Sequence, residues 1–174
     1  MIAGPSELLI IADDQANPTY VASDLLSQAE HDEEAVVIFL ATSEALVEKV
    51  EREMKDQLAR LPRKKIATAS LKHHGVTFIV LDVKQAIAMS NEIAPEHLSL
   101  FVAEPFAYLD GIVHAGSVFL GEQTPHLRGL PDATLGGLQP QVPLHGFTPS
   151  FEAGFQAPVR VHPRLLDVVV VDVD

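Results

Sequence analysis

Four continuous apolar runs narrow the possible folds more than anything else in this chain: "ELLIIAD" from Glu7, "AVVIFLA" from Ala35, "VTFIVLD" from Val76 and "HLSLFVA" from His97. The first two do not alternate apolar with polar residues. A strand that is apolar on both faces belongs in a sheet covered on both sides, which is how parallel sheets are built. The stretches between the runs have helical character. Asn17 and Pro18 suit an N-cap and a first helical position, and Val21, Leu25, Leu26 and Ala29 then make one apolar face. Thr42 or Ser43 opens a long helix reaching about Arg60, with Leu46, Val47, Val50, Met54 and Leu58 on one side. After Pro62 another helix runs from Arg63 to His73 and stops at Gly75, read as its C-cap. "VKQAIAMSNEIA" continues the alternation, "PFAYLDGI" is a short helix, and "IVHAGSVFLG" is a fifth strand. The expected class is α/β, with a largely parallel sheet and helices on both faces.

The texture changes near Thr124. Seven prolines and five glycines fall between Pro125 and Pro163, with weak periodicity, and the chain closes on the β-rich run "LLDVVVVDVD". The expected division is an α/β domain over residues 1–124 and a Pro/Gly-rich tail over 125–174. A loop of that length is functional or poorly ordered, and an unpaired valine run is an aggregation hazard.

Charge removes several functions. Acidic residues number 24 against 12 basic ones, a net charge of −12. Nucleic acid and anionic membranes both require a basic surface, so neither is expected as a partner. Cysteine is absent. There is then no disulfide frame, thiolate zinc site or cysteine nucleophile, which agrees with a cytoplasmic location. The apolar runs are too short to span a bilayer, and no basic segment precedes an apolar one at the start, so no secretory signal is expected. The G-x-G-x-x-G, P-loop and G-x-S-x-G patterns are missing.

Ligand sites in such sheets are expected outside the carboxyl ends of the strands. Two polar groups stand out. Gln28 and His31 are three apart on one helix and share a face. An imidazole with oxygen donors suits zinc, while a solvated helix end with His31 near the C-terminal dipole accounts for the same residues. Spacing alone favours the solvated end. In "NEIAPEHLSLFV", Pro95 fixes the backbone before Glu96 and His97. A carboxylate beside an imidazole is raw material for general acid–base chemistry, and a turn with a capping acid is the equal alternative. Ser6, in "AGPSE", sits at a strand's amino end, where a hydroxyl bonded to its own backbone is the ordinary explanation. His73, His74, His114, His126, His145 and His162 show no ligand spacing and are read as surface or turn residues.

"AGPSELLIIAD", "NPTYVASDLLSQAEHD", "SNEIAPEHLSLF" and "HAGSVFLGEQTP" together resemble the second half of histidinol dehydrogenase, in the family's order, from about Ile2 to Pro125. The resemblance implies an incomplete Rossmann-like domain. It also implies oxidation of L-histidinol to L-histidine through histidinaldehyde, with NAD used twice and one zinc. By motif, Gln28 and His31 match zinc ligands and contacts to the substrate. Glu96 and His97 match the catalytic pair, Glu96 activating water and His97 taking protons and touching substrate. Ser6 matches a substrate-contacting serine. Zinc would hold the substrate's amine and imidazole and orient the carbinol carbon.

Departures from the family pattern set further expectations. The family's amino-terminal half is missing, so a homodimer or a separate amino-terminal chain is the expected partner, and the isolated chain is expected to be incomplete. After "HAGSVFLGEQTP" the family has a Gly-Asp-Tyr whose aspartate binds zinc. Here Asp132 stands close by, without that motif. Arg128 to Asp132 can be encoded so that the frame one base later spells Gly-Asp-Tyr-Leu, which implies a frameshift near Leu127 that the gene's nucleotides decide. Two alternatives stay open: a non-catalytic α/β binding module or one chain of a split enzyme, and a related zinc dehydrogenase for another amino alcohol or diol.

Overall fold

A computed structural model describes residues 6–120 and the strand segments 159–165 and 168–173. The chain opens with strand β1 (Glu7–Ala12), helix α1 (Pro18–Ala29), β2 (Val36–Ala41), α2 (Glu44–Leu58), α3 (Lys64–His74) and β3 (Gly75–Ile79). It continues with α4 (Val83–Ile93), β4 (His97–Phe101), a short 3₁₀ helix (Pro105–Gly111) and β5 (Ser117–Leu120), and then β6 (Val159–Leu165) and β7 (Val168–Val173). One sheet holds all seven strands in the order β5-β4-β1-β2-β3-β7-β6. Every pairing is parallel except that of β6 with β7. The first five strands thus follow the doubly wound order, with the switch between β1 and β4.

The apolar runs behave as strands buried on both faces. Leu8, Ile10 and Ala12 join Val37, Phe39 and Phe101 under α1, α2 and α3. Leu9, Ile11, Ile38, Leu98 and Leu100 join α4 on the other face. Asn17 caps α1 by accepting a hydrogen bond from the Thr19 amide, with Pro18 following. Of the two hydroxyls considered for α2, Ser43 is the cap, accepting from the Leu46 amide. No helix among the described residues is long and apolar enough to cross a membrane.

Gly75 is the C-cap of α3, as expected, and its amide donates to the Leu71 carbonyl. It is extended (φ −86°, ψ 132°) and already opens β3, not in the left-handed geometry of a glycine C-cap. A Cβ there would run into the Leu71 carbonyl oxygen. Close approach of helix and strand is what requires glycine. The left-handed helix end is at Ala94 (φ 54°), where α4 turns into Pro95 and β4. The "LLDVVVVDVD" run supplies β7, paired beside β3. β6 falls in the proline-rich stretch, and a register shift between His162 and Leu165 accommodates Pro163 on this edge strand. The expectations for residues 121–158 lie outside the described residues.

At the carboxyl end of β1, Asp13 spans the gap to β4. Its amide donates to the Phe101 carbonyl at 3.2 Å, and its carboxylate accepts from the amides of Gln15 and Ala103, both at 2.9 Å.

On the α2 side, Glu51 borders an apolar groove lined by Leu25, Phe39, Met54 and Leu71. Burial raises its pKa above the ordinary carboxylate value, Lys55 opposes that rise and Glu48 adds to it. The folded state therefore holds this proton to higher pH than the unfolded state. Stability is lost as pH rises from the unfolded to the folded value, and the charge weighs on the fold at neutral pH. Glu51→Gln is expected to raise the melting temperature at neutral pH. The gain disappears below about pH 4, where the wild-type carboxyl is protonated in both states. Thermal unfolding of both proteins across that range checks the sign.

Candidate active site

The candidate residues gather at one edge of the sheet, and it is the amino edge, not the carboxyl edge. β1 and β4 are parallel, with Leu8 beside His97. Ser6, Glu96 and His97 therefore lie where these two strands begin. Helix α1 starts beyond the carboxyl end of β1 and runs back, so its last turn brings Gln28 to the edge where β1 begins, with His31 just past it. Ser6 is half-buried, and its carbonyl accepts from the Val36 amide at 3.1 Å.

Strand alternation puts His97 on the face that carries α1. Its register partner Leu8 and the residue four further on, Phe101, both belong to the core under α1, α2 and α3. Glu96 and His97 are adjacent, yet their side chains approach each other, with Glu96 Oε2 3.9 Å from His97 Nδ1. Glu96 precedes the regular strand, so its side chain is not bound to the opposite face. The same Nδ1 lies 3.2 Å from the Glu7 carbonyl oxygen. A carbonyl only accepts, so Nδ1 is the donor and the neutral ring keeps its lone pair on Nε2. Phe119 of β5 stacks on the ring, with centroids 5.9 Å apart and planes at 29°. His97 is held from two sides and remains 32% exposed, with Glu96 at 54%. The geometry leaves an imidazole whose second nitrogen has no partner among the described residues beside an accessible carboxylate.

Gln28 is 8% exposed, and its Nε2 has no hydrogen-bond partner among the described residues. A buried amide left unpaired is costly, and such a group calls for a ligand or a water. His31 is exposed; its amide donates to the Gln28 carbonyl at 3.2 Å, and its own carbonyl accepts from Arg63 Nη2 at 3.2 Å. One buried amide and one exposed imidazole suit zinc in kind. They do not suffice in number, since zinc takes four ligands and the described residues contain no group of three His, Asp or Glu side chains that could hold a metal. Asp132 lies outside the described residues.

Sequence reasoning passed over several residues that shape this edge. Arg63 tethers the turn carrying His31, the Glu7 carbonyl sets the His97 tautomer, and Phe119 backs its ring. Gly116 admits β5, since a Cβ there would stand 2.7 Å from the Glu96 carbonyl oxygen. His114, read as a turn residue, is exposed and faces the Asn91 carbonyl at 3.0 Å. Only the glycine two residues before "VFLG" left a local signal.

A family model described as histidinol dehydrogenase matches residues 1–133 of this chain. The chain belongs to the histidinol dehydrogenase family. The histidinol dehydrogenase of Bacillus cereus is 50% identical over 129 residues, covering 74% of this chain and 30% of that protein. That of Aquifex aeolicus is 53% identical with the same coverage. The crystal structure of histidinol dehydrogenase from Elizabethkingia anophelis superposes with a TM-score of 0.67 at 47% identity, covering 70% of this chain and 28% of that one. The chain thus spans about 30% of the length of the histidinol dehydrogenases it matches.

Proposed function

We propose that this chain carries the acid–base pair and two zinc donors of a histidinol dehydrogenase, acting on L-histidinol in the cytoplasm with NAD as oxidant. The single observation that supports this reading is that Ser6, Glu96 and His97 stand where β1 and β4 begin, the edge at which α1 ends with Gln28, and that His97 Nδ1 is bonded to the Glu7 carbonyl. In the first oxidation, to histidinaldehyde, His97 would take the carbinol proton. Glu96 would draw a proton from the water that adds to the aldehyde before the second oxidation, to L-histidine. NAD, when bound, would supply the hydride acceptor for both. Zinc, when bound, supplies Lewis-acid anchoring of the substrate amine and imidazole. Gln28 and His31 would hold it, with the remaining ligands, Asp132 among them, drawn from outside the described residues. Ser6 would touch the substrate beside His97.

The 30% span favours a second feature of this reading. Turnover needs the rest of the length that the relatives have, in the same polypeptide or another, and a homodimer is the expected assembly; residues 1–174 turn over little on their own.

Thermal shift of the purified chain tests binding apart from turnover. Zinc with L-histidinol is expected to raise the melting temperature of the wild type and not of His31→Ala. Zinc-loaded chain that gains no stability from L-histidinol, or a His31→Ala variant that gains as much as the wild type, would refute the site. Robust NADH formation by the isolated chain would refute the need for further parts.

A further inference from the structure

Asn91, in the last turn of α4, makes four hydrogen bonds to one segment. Its Nδ2 donates to the Gly111 carbonyl at 2.8 Å. Its Oδ1 accepts from the amides of Val113 at 2.8 Å and His114 at 3.2 Å. Its backbone carbonyl lies 3.0 Å from His114 Nδ1 and accepts from that ring. Immediately downstream the chain docks on the turn that bears Glu96. The Gly116 amide donates to the Pro95 carbonyl at 3.0 Å and the Ser117 amide to the Glu96 carbonyl at 2.9 Å. β5 then begins, four residues long, at the edge of the sheet and half-buried throughout. Val118 and Leu120 lean on the α4-side core, and Phe119 faces the other way onto the His97 ring.

We infer that Asn91 is a positioning residue for His97, acting through β5. A four-residue edge strand has few bonds of its own to fix its height against β4. The clamp at Gly111–His114 fixes the strand's entry, the close approach at Gly116 transmits it, and Phe119 delivers it to the imidazole. Ala94 supports this assignment: a non-glycine residue with φ 54° persists only where its surroundings over-determine it, and it lies between Asn91 and Glu96. Asn91 touches no reacting group. It holds the loop that holds the strand that holds the ring. The claim rests on the proposed function only in treating His97 as the base, and its test needs no turnover.

The test is imidazole NMR on the full chain labelled with ¹⁵N-histidine, with His97 assigned through His97→Gln. The wild type is expected to show His97 as the Nδ1–H tautomer, with ring protons displaced upfield by Phe119. Asn91→Ala is expected to mix the tautomers and abolish the displacement. Asn91→Asp keeps the two amide contacts of Oδ1 but sets a carboxylate oxygen against the Gly111 carbonyl in place of the Nδ2 donor, and is expected to restore the signals only in part. Phe119→Leu, with the clamp intact, is expected to abolish the displacement alone. An unchanged His97 spectrum in Asn91→Ala would overturn the inference. If Asn91→Ala does not fold, the other two variants decide it: Asn91→Asp with fully wild-type His97 signals, or Phe119→Leu without a change, overturns it equally. Absence of a zinc and histidinol effect in the thermal shift would strike the proposed function and leave these spectra standing.

Discussion

Replacing Leu9 with alanine lowers the free energy of unfolding by about 2–5 kcal/mol. Leu9 is 0% exposed. It lies in β1, between β2 and β4, in register with Ile38 and Leu98, which are themselves fully enclosed. Its face of the sheet is roofed by α4 through Ile87, Met89 and Ile93. Truncation removes apolar area from the middle of this layer. It also leaves a cavity that a central strand, bonded on both edges, cannot close by moving. Domains of this size are stable by only about 5–15 kcal/mol, so one methyl-rich side chain decides whether most molecules stay folded at elevated temperature. Urea unfolding with an unchanged slope measures the effect. Leu81, 69% exposed, is the matched control, and its alanine variant is expected to stay within about 0.5 kcal/mol of wild type. A Leu9→Ala loss below about 1 kcal/mol would mean that β1 is not the packed centre of the sheet.

The largest functional effect is expected at His97. Residues 1–133 can be grafted into the Bacillus cereus enzyme in place of the segment they match, which supplies the other two thirds of a full-length polypeptide. In that chimera His97→Gln is expected to cut kcat for L-histidinol-dependent NADH formation by roughly 10²–10⁴-fold. Glutamine keeps a donor for the Glu7 carbonyl and removes the basic nitrogen on the other side of the ring. Stabilisation by zinc is expected to survive, because Gln28 and His31 are untouched. Glu96→Gln is expected to act on the second oxidation, slowing aldehyde consumption more than alcohol consumption. A His97→Gln chimera with near-wild-type kcat would remove His97 from the chemistry, and one that has also lost its response to zinc would point to a structural fault.

Much of this layout was legible in the chain. The runs around Leu9 and Ile38 lacked alternation because both faces of those strands are covered, and the caps at Asn17 and Ser43 announce their helices through a local hydrogen bond two or three residues away. What stayed hidden is long-range. The Glu7 carbonyl meets His97 across 90 residues, and Arg63 reaches His31 across 32. No spacing rule encodes such contacts. The edge on which the candidates meet was misjudged because the rule for carboxyl-end sites describes loops that follow strands, whereas Glu96 and Ser6 precede theirs. Gly75 was legible as the stop of α3, but glycine serves both left-handed turns and tight backbone approach, and only the path of α3 into β3 tells them apart. β6 was overlooked because proline argues against a strand interior and says less about an edge.

The carboxylate bridge at Asp13 has a bearing on coenzyme recognition. In doubly wound folds the crevice beyond the first strand receives a pyrophosphate on free backbone amides. Here the amides of Gln15 and Ala103 are already taken by an acid, which would itself repel an incoming diphosphate. The crevice beyond β1 is thus closed to an anion by the chain's own acid, and the sheet presents its candidate residues on the opposite rim.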